Sequence, residues 1–196
     1  MRWTVLVPLR ALPAAKSRLA ASVPPDTHAR LVAAIRADTV QAARQAAAVA
    51  RVILIGDVPG DGITLVQHSA GLNGALRDGA AYAIERWPDD GVAALVGDLP
   101  ALRAGELDAA LAAAAAHPRG FVADAHGTGT TLLTATPGTA LEPRFGSGSA
   151  RRHATSAAPL PAGPGLRTDV DTLTDLAAAA RLGLGAHTAA LDRGVA

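Results

Sequence analysis

"WTVLVPL", Trp3–Leu9, is an apolar run interrupted by a single threonine. A strand with one wet face alternates apolar and polar residues; an unbroken run predicts a strand covered on both faces. "RVILIGD" (Arg51–Asp57) and "GVAALVGDLPAL" (Gly91–Leu102) repeat the pattern, and "GITLVQH" (Gly62–His68) is a shorter version of it. Segments of helical character separate them. Asp26 can cap a helix from Thr27 to about Ala48. "GLNGALRDGAAYAIERW" (Gly71–Trp87) is a glycine-rich entry into another, and "AGELDAALAAAAAH" (Ala104–His117) carries its acidic residues in the first turn, as the helix dipole prefers. Strands alternating with helices predict an α/β fold, a three-layer α/β/α sandwich around a mostly parallel sheet.

The later part of the chain changes character. "GFVADAHGTGTTLLTAT" (Gly120–Thr136) predicts two strands joined by a glycine-rich turn, a small antiparallel insertion. "PRFGSGSARRH" (Pro143–His153) is an irregular glycine/serine loop that can open a short helix. "GLRTDVDTLTDLAAAARLG" (Gly165–Gly183) reads as a strand, a turn and a closing helix, with Thr172 as N-cap, Asp175 three residues on and Gly183 as the stop.

The 196 residues are 49% hydrophobic but only 3% aromatic, so Ala, Leu and Val must fill the core of one domain spanning 1–196. A net charge of +1 gives no global field for nucleic acid or an anionic membrane. No apolar run approaches the roughly 20 residues of a membrane span. Pro8 and Arg10 interrupt the first apolar run before any signal-peptide cleavage site, so a cytoplasmic location is expected. Without cysteine there are no disulfides, thiolate metal sites or cysteine nucleophiles. G-x-x-x-x-G-K-[ST], G-x-G-x-x-G and H-E-x-x-H are absent, which removes P-loop, dinucleotide-fingerprint and zincin chemistry.

Parallel α/β sheets bind ligands at the carboxyl ends of their strands, so reactive residues should follow strands. Arg10, Lys16 and Arg18 follow the first, Asp57 the second, Asp98 the third, and Asp169 and Asp171 a late one. Cations beside carboxylates suit a polyphosphate with Mg²⁺. In an extended "TDVD", Asp169 and Asp171 face the same way about 7 Å apart. At an effective dielectric near 20 they would repel by about 2 kcal/mol, a penalty that a divalent cation converts into a site. Asp98 in "GDLP" can complete an oxygen-only shell; helix caps and turns are the alternative use of these aspartates. Lys16 is the only lysine beside 17 arginines. A compact ammonium on a flexible stem suits a phosphate crowded by a metal, against the alternative of a solvated loop residue. "HGTGTTL" (His126–Leu132) offers hydroxyls and backbone N–H groups of the type that bind anions, or a plain hairpin turn. The start of a helix at Ser149, with Arg151 and Arg152 close by, offers a second anion site, or a solvated basic turn.

Taken in order, "LRALPAAKSRLA", "GLNGAL", "GDLPAL", "FVADAHGTGTTLL", "RFGSGSARRH" and "GLRTDVDTLTDL" resemble the 2-phospho-L-lactate / phosphoenolpyruvate guanylyltransferase family over about residues 3 to 186. The resemblance implies a fold of the nucleotide-diphosphosugar-transferase type, GT-A-like and Rossmann-like. It implies an enzyme that couples GTP to phosphoenolpyruvate or 2-phospho-L-lactate, releases pyrophosphate and serves coenzyme F420 biosynthesis, its product passing to a deazaflavin transferase. Residue by residue, it implies Mg²⁺ on Asp98, Asp169 and Asp171. It implies the acceptor on Thr130, Gly146 and Ser149, the GTP phosphates on Arg10, Lys16 and Arg18, and Asn73 on the nucleotide side. Relatives often carry lysine where this chain has Arg10; a bidentate arginine holds phosphate as well. A homodimer is compatible with it. Two other readings stay open: a nucleotidyltransferase for a molybdopterin or sugar phosphate, and a non-catalytic nucleotide-binding protein of the same fold.

Overall fold

The structure, a computed structural model, describes residues 1–9, 17–20, 23–56, 62–66 and 68–192. Its strands are β1 (Trp3–Pro8), β2 (Val49–Ile55), β3 (Ile63–Leu65), β4 (Gly91–Leu95), β5 (Arg119–Ala123), β6 (Thr130–Ala135) and β7 (Ala158–Pro159). Its helices are α1 (Ser17–Ala20), α2 (Pro25–Gln45), α3 (Gly71–Arg86), α4 (Ala104–Ala114), α5 (Ser149–His153), α6 (Pro164–Arg167), α7 (Leu173–Leu182) and α8 (Ala186–Asp192). The strands form one sheet in the order β3-β2-β1-β4-β6-β5-β7. β6 runs antiparallel to both neighbours, and the other pairings are parallel.

The unbroken apolar runs do what their pattern predicts. Val5 and Val7 of β1, Val52 and Leu54 of β2 and Ala93 and Leu95 of β4 pack on one face against Val40 and Ala43 of α2, Ala46 just beyond it, and Leu107 and Leu111 of α4. The intervening Leu6, Ile53, Ile55, Val92 and Ala94 pack on the other face against Ala75, Leu76, Ala80 and Ala83 of α3. Period-two alternation thus feeds two cores instead of one core and solvent. A third cluster, Leu19, Leu31, Ile35, Ala101, Val170 and Ala179, closes α2 against the late segment and α7.

Three local expectations are corrected. Helix α2 starts at Pro25, not Thr27; Pro25 occupies a first-turn position where its missing N–H costs nothing, and Asp26 lies inside that turn instead of capping it. The antiparallel pair β5–β6 forms as expected, but in place of an insertion it continues the main sheet, because β6 pairs with β4. The strand expected before Asp171 is instead the helical turn α6, with Pro164 opening it and residues 168–171 irregular. Proline cannot donate to a ladder, and its fixed φ suits a helix start. The cap of α7 is as read: Thr172 accepts from the Asp175 N–H at 3.2 Å, Asp175 accepts from the Thr172 N–H at 2.8 Å, and Gly183 follows.

The chain passes from β1 through α2 to β2 and β3 on one side of β1, then returns to β4 on the other side. The topological switch point therefore lies between β1 and β4, where ligands of open α/β sheets bind. Gly56 ends β2 beside it. Its φ is +143°, and a Cβ there would lie 2.1 Å from the Leu9 carbonyl oxygen. The same crossing carries the bond from the Leu9 N–H to the Ile55 carbonyl, at 2.8 Å. Replacing Gly56 by Ala should therefore cost about 2 kcal/mol or more, read as a lower urea midpoint at unchanged slope.

Candidate active site

A cavity of about 330 Å³ occupies the switch point. Pro8 at the end of β1 and Ala94–Asp98 at the end of β4 form its floor; Leu72 and Leu76 of α3, Val32, Ile35 and Arg36 of α2, Phe145 and Asp171 form its walls. Asp98 and Asp171, 73 positions apart in sequence, thus face one space. Two hydrogen bonds from backbone N–H groups set the meeting: the Val170 N–H donates to the Asp98 carbonyl at 3.1 Å, and the Leu99 N–H donates to Thr39 Oγ1 at 2.9 Å. Val170 itself is fully buried, which anchors the segment between the two acidic neighbours. Asp169 is half-buried and is not among the residues lining the cavity. Among the described residues no three His, Asp or Glu side chains gather closely enough to hold a metal by themselves.

Two carboxylates on one cavity nevertheless fit Mg²⁺, which takes one or two protein carboxylates and completes its shell with water and substrate phosphate oxygens. Arg36 supplies the cation expected there. Burial lowers its pKa and the Asp98 carboxylate opposes that shift, so the two groups sense one another across the cavity. The basic residues predicted for this role are different ones: Arg10 and Lys16 lie outside the described residues, as does the acidic candidate Asp57, and of Arg18 only its place in α1 is described.

The residues assigned to the acceptor gather around α5. Antiparallel β6 is what brings Thr130 there. Leu95 of β4 pairs with Leu132 of β6, so the start of β6 lies beside the end of β4. The strand's beginning therefore faces the site, where parallel strands present their ends. Thr130 Oγ1 is 2.9 Å from Nδ1 of the fully buried His153, and Ser149 begins the same short helix. Ser149 donates its N–H to the Gly146 carbonyl at 3.0 Å, and Gly146 has φ +120°, a conformation that favours glycine. Phe145 joins the two halves: it lines the cavity, and the chain runs on from it into this loop.

Asn73, expected on the nucleotide side, spends its amide on that loop. Its Nδ2 donates to the Phe145 carbonyl at 3.1 Å and its Oδ1 accepts the Phe145 N–H at 2.8 Å. The proposed anion cradles at "HGTGTTL" and α5 are also committed internally. Asp124 accepts from the Thr128 and Gly129 N–H groups at 2.9 and 2.7 Å, and its carbonyl takes that of Gly127. The Arg152 guanidinium donates to the carbonyls of Arg144 and Ser147 and thus closes the glycine/serine loop on itself.

No spacing motif surrounds His153, so the sequence alone assigns it no role. Burial, followed by the charges of Arg152 and Arg144, pushes its pKa from 6.5 down to about 4. The unfolded chain takes up this proton below 6.5, whereas the folded ring does so only near 4; stability therefore falls as pH drops through that window and is flat above it. The urea midpoint should decline between about pH 6.5 and 4.5, and His153→Gln should flatten that decline; parallel pH profiles would contradict a neutral buried ring. Thr39→Val strands the buried Leu99 N–H and should lower stability by about 1–3 kcal/mol, read by thermal or urea unfolding.

The arrangement has counterparts among known proteins. A crystal structure from Desulfovibrio desulfuricans G20, described as a nucleotide-diphospho-sugar transferase, superposes with a TM-score of 0.76 at 18% identity over 99% of this chain and 95% of that one. Rv0371c of Mycobacterium tuberculosis H37Rv gives 0.57 at 18% identity, over 91% and 96%. The architecture is thus that of the nucleotide-diphospho-sugar-transferase fold, a Rossmann-like α/β class. The family model "Guanylyl transferase CofC like" matches residues 3–161. Phosphoenolpyruvate guanylyltransferase of Geodermatophilus obscurus is 50% identical, over 99% of this chain and 95% of its own length. The proteins of that name in Salinispora arenicola and Streptomyces scabiei are 48% and 47% identical, over 96% and 97% of this chain and 92% and 95% of theirs. The chain belongs to the CofC-like guanylyl transferase family and is a nucleotidyltransferase.

Proposed function

We propose that this chain couples GTP to phosphoenolpyruvate, giving enolpyruvoyl-diphospho-5'-guanosine and pyrophosphate, as a step of coenzyme F420 biosynthesis. The observation that carries the reading is the pairing of Asp98 and Asp171 with Arg36 on one cavity at the switch point. The name borne by relatives at 47–50% identity supports guanine and phosphoenolpyruvate over 2-phospho-L-lactate, molybdopterin or sugar phosphates. No helix among the described residues is long and apolar enough to cross a membrane, which suits soluble substrates.

The phosphate of phosphoenolpyruvate is already anionic at neutral pH, so its oxygen needs no general base to attack the α-phosphorus of GTP. The new bond joins that oxygen to the α-phosphorus; the bond from the α-phosphorus to the bridging oxygen of the β-phosphate breaks, and pyrophosphate departs with the electron pair. Catalysis then amounts to alignment and neutralisation of charge. Asp98 and Asp171, with Asp169 as a third candidate, would hold Mg²⁺, which would supply neutralisation of phosphate charge. Arg36 balances charge from α2, and Arg10, Lys16 and Arg18 do so from the segment after β1. Thr130, Gly146 and Ser149 orient the carboxylated acceptor, and Phe145 walls it from the side. A non-catalytic nucleotide-binding role is the competing reading.

Incubating the protein with GTP, Mg²⁺ and each acid in parallel, with mass detection of the coupled product, decides among these. Product with phosphoenolpyruvate alone supports the assignment; product only with 2-phospho-L-lactate reassigns the acceptor; GTP binding without pyrophosphate from any acceptor points to the non-enzyme. Asp98→Asn and Asp171→Asn should each lower kcat about 100-fold or more with the fold intact by circular dichroism. Asp169→Asn reports whether the third carboxylate shares the load, and near-normal rates in all three variants would reject the metal assignment.

A further inference from the structure

We propose that His153 is the positioning residue of the acceptor half of the site: as a neutral ring carrying its proton on Nδ1, it aims the Thr130 hydroxyl proton at the phosphorylated acid. The role given to Thr130 rests on the phosphoenolpyruvate reading above; the state of the ring does not.

The hydrogen bonds decide the tautomer. The backbone N–H of Arg144 donates to His153 Nε2 at 2.9 Å, so that nitrogen must present a lone pair. A neutral ring then has its proton on Nδ1, which lies 2.9 Å from Thr130 Oγ1 and donates to it. The threonine oxygen accepts from the ring, and the one proton of the hydroxyl is left for another partner. An anionic phosphate or carboxylate oxygen is a fitting one, since charge-assisted bonds of this type are the strong ones. The opposite tautomer would set Nε2–H against the Arg144 N–H, two donors head-on at a site that is 1% exposed.

The ring is also fixed in orientation. Phe145 meets it edge-on, with centroids 5.1 Å apart and planes at 70°, and Phe121 flanks it at 6.3 Å. Asn73 holds the Phe145 backbone at both its N–H and its carbonyl. One side chain therefore touches Thr130, secures the turn leading to Gly146 and shares α5 with Ser149. A leucine or phenylalanine would fill the same space in this alanine- and leucine-rich interior but could make neither bond.

The test has two arms on the full chain. Histidine ¹⁵N spectra at neutral pH should contain one ring, absent in His153→Asn, with Nδ1 protonated and Nε2 bare; the reverse pattern or a charged ring overturns the proposal whether or not the protein turns over phosphoenolpyruvate. In the kinetic arm, His153→Gln keeps an acceptor near the Nε2 position and loses the donor to Thr130, whereas His153→Asn keeps a donor near the Nδ1 position. KM for phosphoenolpyruvate should rise about tenfold or more in His153→Gln, with KM for GTP changed less than about twofold, and His153→Asn should recover much of the loss. Thr130→Val combined with His153→Gln should be no worse than Thr130→Val alone, because the histidine acts through the threonine. Equal losses in the two histidine variants, a parallel rise in both KM values, or additive effects would make His153 a packing residue and sink the proposal. Absence of turnover in the unaltered protein would instead refute the phosphoenolpyruvate reading, and the ¹⁵N arm would still judge the ring.

Discussion

Two hydrogen bonds donated by backbone N–H groups at the exit of β4 hold the site together. Asp98 and Asp171 are brought to one cavity because Val170 donates to the Asp98 carbonyl and Leu99 donates to the Thr39 hydroxyl on α2. Each such bond contributes only about 1 kcal/mol net, yet leaving either buried donor unmade costs about 1–3 kcal/mol, so the geometry is defended by the penalty for losing it. Val170, fully buried between two acids, adds apolar anchoring in the same place. The repulsion between the carboxylates is tempered by Arg36, whose own charge is partly desolvated and is supported by Asp98.

A chain with 3% aromatics must build this framework from small residues, and the sheet shows how. Alternate residues of β1, β2 and β4 feed two separate apolar layers, with α2 and α4 on one side and α3 on the other. Close approach replaces bulk. A Cβ on Gly79 of α3 would lie 2.4 Å from Ile55 Cδ1, so the Ile55 side chain of β2 packs directly against the helix backbone there. Close packing of this kind keeps dispersion contacts numerous where large rings are few.

What could be read in the letters divides along the same line. β1, β2 and β4 were legible because burial on both faces leaves an unbroken apolar run, and the cap of α7 because Thr172 and Asp175 sit at the spacing that capping chemistry requires. Asp98 was legible as a polar residue directly after a buried strand. "GLRTDVD" misled because Asp-Val-Asp alternates like a strand around one buried valine, while the proline just upstream had already set a helical turn. "HGTG" misled because the acceptor for its N–H groups is Asp124, four and five residues before the donors it serves, and a local carboxylate competes with any incoming anion. Arg36, Thr39 and His153 left no signal, since each sits in a helix at an ordinary polar position and gains its meaning from residues 60 or more positions away, or, for His153, from a strand and a turn that only the fold brings to it.

The one antiparallel strand explains why a mostly parallel sheet can serve two substrates at one edge. β1 and β4 deliver their carboxyl ends, and with them Asp98, to the cavity; β6 delivers its amino end, and with it Thr130, directly alongside. Were β6 parallel, Thr130 would lie at the opposite rim, a strand length away from Asp98. Reversal of a single strand thus places a hydroxyl-bearing half-site beside a carboxylate-bearing one. Phe145, clamped by Asn73 of α3 and stacked edge-on against His153, is the wall they share. That phenylalanine thus belongs to the cavity lining and to the surroundings of the histidine at once.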